Sequence, residues 1–276
     1  MTVLDPRRIE ERIKDFRRGR EGSIAFSVTC RDATPSTNAE VKDALRAGCP
    51  EGVACVAVEQ TAGYGRQGRS WTSPAGGAYV SVCLRPGVLP AKLPTLSLIA
   101  SLAVRSALVR LGCVREPRIK WPNDVVCAAG KLCGISLEAL AGGVCVGIGV
   151  NALRPARKEA VGGKNEPAYA FEGSVGEDGP SASQARTLED VAACVLAELD
   201  ARYARWRTEG FEPFCREYNQ LLSLRGASVE AVTIADDVLV AGVVDRADEC
   251  GRLLIRQADG SVLAAQSGEI HLTKLG

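Results

Sequence analysis

The run Gly63-Tyr64-Gly65-Arg66-Gln67-Gly68-Arg69-Ser70-Trp71 holds three glycines and two arginines in nine residues. Glycine lets backbone N–H groups approach a ligand closely, and each guanidinium can fork onto two oxygens of a carboxylate or phosphate. Such a loop is built to hold an anion; a plain surface hairpin does not account for its arginines.

Three nucleotide-site patterns fit these letters. Gly63, Gly65 and Gly68 satisfy the dinucleotide signature G-x-G-x-x-G, and Gly63 to Ser70 nearly satisfies the phosphate-loop pattern, with Arg69 in place of lysine. Both need a helix directly after the loop, so that its first amides meet the phosphate. Instead the loop leads through the turn-forming run Trp71-Thr72-Ser73-Pro74-Ala75-Gly76-Gly77 into Ala78 to Leu84, which alternates like a strand. The third pattern, the glycine loop of protein kinases, lacks its companion segments V-A-I-K, H-R-D and D-F-G.

Two further segments suit anion chemistry. Lys120-Trp121-Pro122-Asn123-Asp124 opens the strand-like Val125-Val126-Cys127, and after the turn at Ala128-Ala129-Gly130 comes Lys131, at the mouth of a buried strand. A lysine at a hairpin turn is ordinary surface chemistry, but five functional residue types in succession around a proline are not.

Pro35-Ser36-Thr37-Asn38, Glu59 to Trp71, Lys120 to Asp124, Gly130-Lys131-Leu132-Cys133-Gly134-Ile135 and Gly147-Ile148-Gly149-Val150-Asn151, in that order, closely resemble the motifs of biotin protein ligases. The resemblance covers residues from about 25 to 152 firmly and the last fifty more loosely. It implies an α+β fold, a mixed central sheet with helices of the class II synthetase-like type, followed by a small C-terminal SH3-like β-barrel. Residues 1–223 would form the catalytic domain and 224–276 the barrel. The implied reaction has two halves: biotin and ATP give biotinyl-5'-adenylate and pyrophosphate, and the biotinyl group passes to one lysine of a biotin carboxyl carrier protein domain.

The resemblance also implies roles. Ser36, Thr37 and Asn38 would hydrogen-bond biotin's ureido ring and Gln60 would add one more polar contact, with Gly63, Tyr64, Gly65, Arg66, Lys131 and Gly134 completing the biotin site. Arg66, Arg69, Trp71, Asn123 and Lys131 would hold ATP and the adenylate, and Arg66, Lys131 and Asp124 would be catalytic. Mg2+ would accompany ATP, held mainly by phosphate oxygens and water with Asp124 or Asn123 nearby; Asp124 could instead orient or deprotonate the acceptor lysine. Tyr64 and Gln67 stand where some members carry arginines, which leaves fewer cations to retain the adenylate. The alternatives are a lipoate or octanoate ligase of the same architecture and a biotin sensor without catalysis, the latter disfavoured by the intact Lys131 and Asp124.

The chain has 276 residues, 46% of them apolar, enough for one sizeable core and a satellite domain. Its 34 basic and 33 acidic residues leave no nucleic-acid footprint. Eleven scattered cysteines without a C-x-x-C pair, and one histidine (His271), point to reduced thiols in a cytoplasmic protein without zinc. Met1 to Arg20 is densely charged and lacks a signal peptide's apolar core. Only about twenty residues precede the catalytic region, where a winged helix would need roughly sixty for its own core. The expectation is therefore the monofunctional type, without DNA binding.

Leu132 to Val150 imitates a membrane span, but Ala141-Gly142-Gly143 divides it into two strand-like halves. A buried hairpin is expected, covered on both faces or pairing with another subunit in a homodimer. Helices are predicted over Pro6–Arg18 (with Asp5 as cap), from Ser36 or Thr37 to Ala47 with a capping box to Glu40, over Pro94–Leu111, Leu188–Arg207 and Gly210–Leu222. Strands are predicted over Ile24–Val28 and Val53–Val58. A mobile loop over Arg154–Arg186, with a short strand near Ala168–Phe171, precedes five short strands at Val229–Val232, Val238–Val244, Leu253–Arg256, Val262–Ala265 and Ile270–Thr273.

Overall fold

The computed structural model describes residues 3–20, 22–156, 166–233, 238–266 and 270–274. In chain order its elements are α1 (Pro6–Arg17), β1 (Ser27–Thr34), α2 (Thr37–Arg46), β2 (Val53–Gln60), β3 (Ala78–Leu84), α3 (Pro94–Arg110), β4 (Arg118–Lys120), β5 (Asp124–Cys127), β6 (Gly130–Leu140), β7 (Gly143–Val150), α4 (Ala182–Glu209) and α5 (Cys215–Leu221). The C-terminal strands β8 (Ser228–Thr233), β9 (Val238–Ala247), β10 (Leu253–Arg256), β11 (Val262–Ala265) and β12 (Ile270–Lys274) complete the chain.

Strands β1 to β7 form one mixed sheet in the order β1-β2-β3-β7-β6-β5-β4, parallel only between β1 and β2. Side chains alternate between the faces of a strand, and here the two sets differ in kind. Val80, Val82 and Leu84 of β3 and Val144, Val146, Ile148 and Val150 of β7 join the main core with α3 and α4. Cys83 and Cys145 belong to a second, smaller cluster with Val41 and Leu45 of α2. The α2 face therefore also carries Ser81, Gly147 and Gly149, and on β6 Gly134, Ser136 and Glu138. It is the face with room and polarity for a ligand.

Helices on both faces explain the apolarity of the hairpin β6–β7 without a second subunit. Its turn residues Ala141 and Gly142 both have positive φ (49° and 69°), the geometry that matches the twist of paired strands. The sequence from Pro90 to Arg110 is long and apolar enough to cross a membrane, yet it is mostly buried in the core, with α4 over α3. All eleven cysteines are free.

α1 starts as expected, Asp5 accepting from the Arg7 amide at 2.9 Å and Pro6 opening the helix, with Ile9, Ile13 and Phe16 buried. Four expectations need correction. The first strand spans Ser27–Thr34, not Ile24–Val28: the Ile24 amide is drawn to the Asp200 carboxylate of α4, and the strand runs on through exposed Arg31 and Asp32 at the sheet edge. α4 begins at Ala182, six residues early, because Ser181 and Gln184 form a reciprocal capping box. Gly210 (φ 78°) caps α4 and so cannot start the next helix; a 3-10 turn, Glu212–Phe214, leads into the short α5. No strand forms at Ala168–Phe171, because the segment changes partner: the Ala168 amide bonds Lys131 O, whereas those of Ala170 and Phe171 bond Asn151 O and Ala152 O. Of the predicted loop, residues 157–165 lie outside the described residues.

The five C-terminal strands fall where alternation places them and pair antiparallel in the order β11-β10-β9-β8-β12, an open ladder among the described residues. Trp121 Nε1 donates to Gly251 O at 3.0 Å, and Gly251 lies against Leu98 and Thr95, tying this sheet to α3.

Candidate active site

The first half of the site is a polar network at the start of α2. Ser36 (4% exposed), Thr37 (3%) and Asn38 (5%) are buried, which in such an apolar surrounding demands hydrogen-bond partners. The Thr37 amide and hydroxyl donate to Gln60 Oε1 at 2.9 and 3.0 Å, and Gln60 Nε2 donates to Ser73 Oγ at 2.8 Å. Asn38 Nδ2 donates to Ser136 Oγ at 3.0 Å, and the Ser81 hydroxyl lies 2.6 Å from Asn38 Oδ1 and 2.7 Å from Thr37 Oγ1. Gly147 makes the room: a Cβ there would stand 2.1 Å from Asn38 Oδ1. The expected capping box is absent. The cap is Ser36, without a side-chain bond, so Glu40 falls one position too late and binds Arg31 and Thr34 instead. Ser73, Ser81 and Ser136 were not among the sequence candidates; a lone serine inside each of two apolar strands was the signal for the latter two.

The glycine loop folds onto this face. The Trp71 amide donates to Gly63 O at 2.9 Å and the Gly65 amide to Arg69 O at 2.8 Å, closing a tight turn whose tip needs left-handed backbone at Gln67 (φ 59°) and Gly68 (φ 69°). No helix follows Ser70; Ser73 bridges back to Gln60 before β3 begins. The dinucleotide, phosphate-loop and kinase readings lose their required context. The Trp71 indole lies over Lys131, whose Nζ is 4.8 Å from the ring centroid, and against Gly134 and Gly149. Its buried Nε1–H has no hydrogen-bond partner.

The second half of the site is charged. Arg66 Nη1 donates to Asn123 Oδ1 at 3.0 Å, and Asn123 is fixed in turn by donating through Nδ2 to Ile135 O at 2.8 Å. Lys131 Nζ pairs with Asp124 Oδ1 at 2.8 Å, both side chains largely buried (16% and 13% exposed). Burial lowers the pKa of Arg66, Asp124 opposes that shift, and neighbouring Arg69 adds to it. Arg69 itself is exposed at the loop tip. Fully buried Tyr218 of α5 stands close enough to Asp124 to respond to its charge: burial, then the carboxylate, raise its phenol well above the ordinary range.

Lys131 reaches this face through a bulge. The β5–β6 register runs Asp124↔Gly134 and Val125↔Cys133, then slips so that Val126 faces Lys131. In a regular strand residues 131 and 134 point to opposite faces; the extra residue, Leu132, turns Lys131 to the side of Gly134. A Cβ on Gly134 would stand 3.2 Å from Lys131 Nζ. The turn before β5 is anchored from behind, Ser97 Oγ of α3 donating to Pro122 O at 3.1 Å beside the cis Trp121–Pro122 bond.

A neutral polar pocket that leads into two cations, over a strand face of glycine and serine, suits the activation of a carboxylic acid by a nucleotide, the work of acyl-activating ligases. Comparison with known proteins narrows the class. Residues 30–152 match the biotin/lipoate A/B protein ligase family. The chain is 34% identical over 235 residues to the biotin–(acetyl-CoA-carboxylase) ligase of Paracoccus denitrificans, covering 82% of this chain and 93% of that one. It is 31% identical over 247 residues to the Mycobacterium tuberculosis enzyme of the same name, covering 87% and 86%. Among solved structures, the biotin protein ligase from Aquifex aeolicus in complex with biotin and ATP superposes with a TM-score of 0.73 at 25% identity, covering 90% of this chain and 99% of that one. The chain belongs to the biotin/lipoate A/B protein ligase family.

Proposed function

We propose that this chain is an ATP-dependent biotin ligase that forms biotinyl-5'-adenylate and transfers the biotinyl group to a lysine of a biotin carboxyl carrier domain. The observation that carries this reading is the convergence, on one sheet face, of the Thr37–Asn38–Gln60 network with the Arg66–Asn123 and Lys131–Asp124 pairs. Biotin's ureido group, a neutral donor and acceptor, exchanges hydrogen bonds with the Thr37–Asn38–Gln60 network and with the neighbouring Ser36. Its carboxylate extends past Trp71, over Gly134, toward Lys131.

Bringing a carboxylate to the α-phosphate forces two anions together, so the reaction needs cations placed before the event. Lys131 spans carboxylate and phosphate, and Arg66, held by Asn123, neutralises charge on the phosphate as pyrophosphate leaves. The backbone of Gly63, Tyr64 and Gly65 lines the same path, and Arg69 at the loop tip guides the nucleotide. The orphan Trp71 indole N–H supplies a donor as the ring closes over the ligand. In the second half-reaction the acceptor amine attacks the acyl carbon, AMP departs, and Asp124 takes the amine's proton.

ATP enters as its magnesium complex, a substrate. No group of three or more His, Cys, Asp or Glu side chains among the described residues could hold a metal, and Asp124 is engaged by Lys131. A chain rich in free thiols that uses ATP and biotin belongs in the cytoplasm. Residues 1–223 constitute the catalytic unit, and residues 224–276 present the carrier beside it. With the hairpin covered by helices, a homodimer would form on another surface; sedimentation with and without biotinyl-adenylate reads it. The function is tested by incubating the protein with biotin, MgATP and a recombinant carrier domain. One biotinyl group on the carrier lysine, seen by mass spectrometry, is expected; an unmodified carrier overturns the reading.

A further inference from the structure

Away from the paired cations, a separate set of side chains holds the glycine loop. The Tyr64 hydroxyl donates to Glu138 Oε1 at 2.8 Å, and Lys42 Nζ donates to Glu138 Oε2 at 2.7 Å. Lys42 Nζ also lies 5.1 Å from the centroid of the Tyr64 ring. The three groups close a ring in which each touches the other two. Lys42 and Glu138 are only 19% and 32% exposed, so their attraction is partly sheltered from solvent.

The ring joins the three elements that make the site. Lys42 is on α2, whose first turn carries Thr37 and Asn38; Glu138 is on β6, which carries Lys131 and Gly134; Tyr64 lies between two loop glycines, two residues before Arg66. Two further side-chain attachments of the loop, Arg66 on Asn123 and Trp71 over Lys131, involve groups that meet the ligand. Their grip must change during the reaction. The Tyr64–Glu138–Lys42 ring needs no ligand and is available at every stage, while the loop tip from Gln67 to Ser70 is exposed.

We propose that Tyr64, Glu138 and Lys42 form a clasp that positions the glycine loop over the site and sets how long the activated acyl-adenylate is retained before an acceptor arrives. The proposal rests on the ligase reading for its consequence, though not for the clasp itself. Glu138 and Lys42 act through Tyr64 and are positioning residues.

The test uses the full chain with Tyr64→Phe, which removes one hydroxyl and keeps the ring, Glu138→Gln, which removes the charge, and the double variant. Without ligand, trypsin cleavage after Arg66 and Arg69 should accelerate about tenfold in each single variant, the effect of losing one hydrogen bond to a charged group. With biotin and MgATP but no carrier, release of biotinyl-adenylate into solution should rise by a similar factor at an unchanged thermal midpoint. The double variant should be no leakier than the worse single one, because both substitutions open the same clasp. Wild-type cleavage and release rates in both single variants overturn the proposal, as do effects that multiply in the double variant. Should either variant fail to fold, Lys42→Met, which cuts the ring at its partly exposed corner, decides by the same two readouts. If the wild type makes no adenylate, the ligase reading falls, while the cleavage arm still decides the clasp.

Discussion

Lys131 shows how far single residues could be read ahead of the structure. Its type, its place before Leu132-Cys133-Gly134 and its resemblance role were all visible, whereas the bulge that turns it to the face of Gly134 leaves no mark in alternation. Arg66, Asn123, Asp124 and Trp71 were likewise nameable from their motifs, and the structure brings them together with Lys131. Glu138 and Lys42 were not, because a lone charge in an apolar strand and a lysine on a helix are each ordinary until seen facing one another. The residue with the sharpest consequence is Lys131. Lys131→Ala should lower biotin-dependent exchange of pyrophosphate into ATP by about a hundredfold or more, the scale of losing one preorganised electrostatic group. The fold should persist, because Arg66 still opposes the Asp124 charge, at a lowered Tm from the loss of one partner of a largely buried pair. Exchange at the wild-type rate would take Lys131 out of the chemistry.

At the scale of elements, the strands that pair inside the sheet and the fully apolar α3 were legible because period and burial agree there. The edge strand β1 was misplaced because its outer half exposes Arg31 and Asp32, and α4 began early through a cap the sequence does spell, Ser181-Ala182-Ser183-Gln184. β7 carries the clearest element-level prediction. Its valines and isoleucine bind it to the core, while Gly147 and Gly149 leave the opposite face open for Asn38 and Trp71. Gly147→Ala would place a methyl 2.1 Å from Asn38 Oδ1 and 2.7 Å from Ser136 Oγ, so Asn38 must move. The KM for biotin should rise about tenfold, as expected for one disrupted buried hydrogen bond, with the KM for ATP nearly unchanged. An unaltered biotin KM would separate Asn38 from the biotin pocket.

At the scale of the whole molecule, the site is made by two layers that differ in chemistry, an apolar helical core behind the sheet and a small polar face in front. The C-terminal sheet is attached behind the Lys120–Asp124 turn, where Trp121 Nε1 meets Gly251 O. Trp121→Phe strands that buried carbonyl and should cost about 1–3 kcal/mol, a fall of several degrees in Tm; an unchanged Tm would make the contact incidental. That attachment was invisible in sequence, because it joins residues 130 positions apart. The central claim is that one face of the sheet binds biotin and activates its carboxylate with ATP, and it is tested most directly by pyrophosphate–ATP exchange with the wild-type protein. Biotin should support exchange while lipoate and octanoate leave it at background; exchange driven by lipoate or octanoate, or none with biotin, would contradict it.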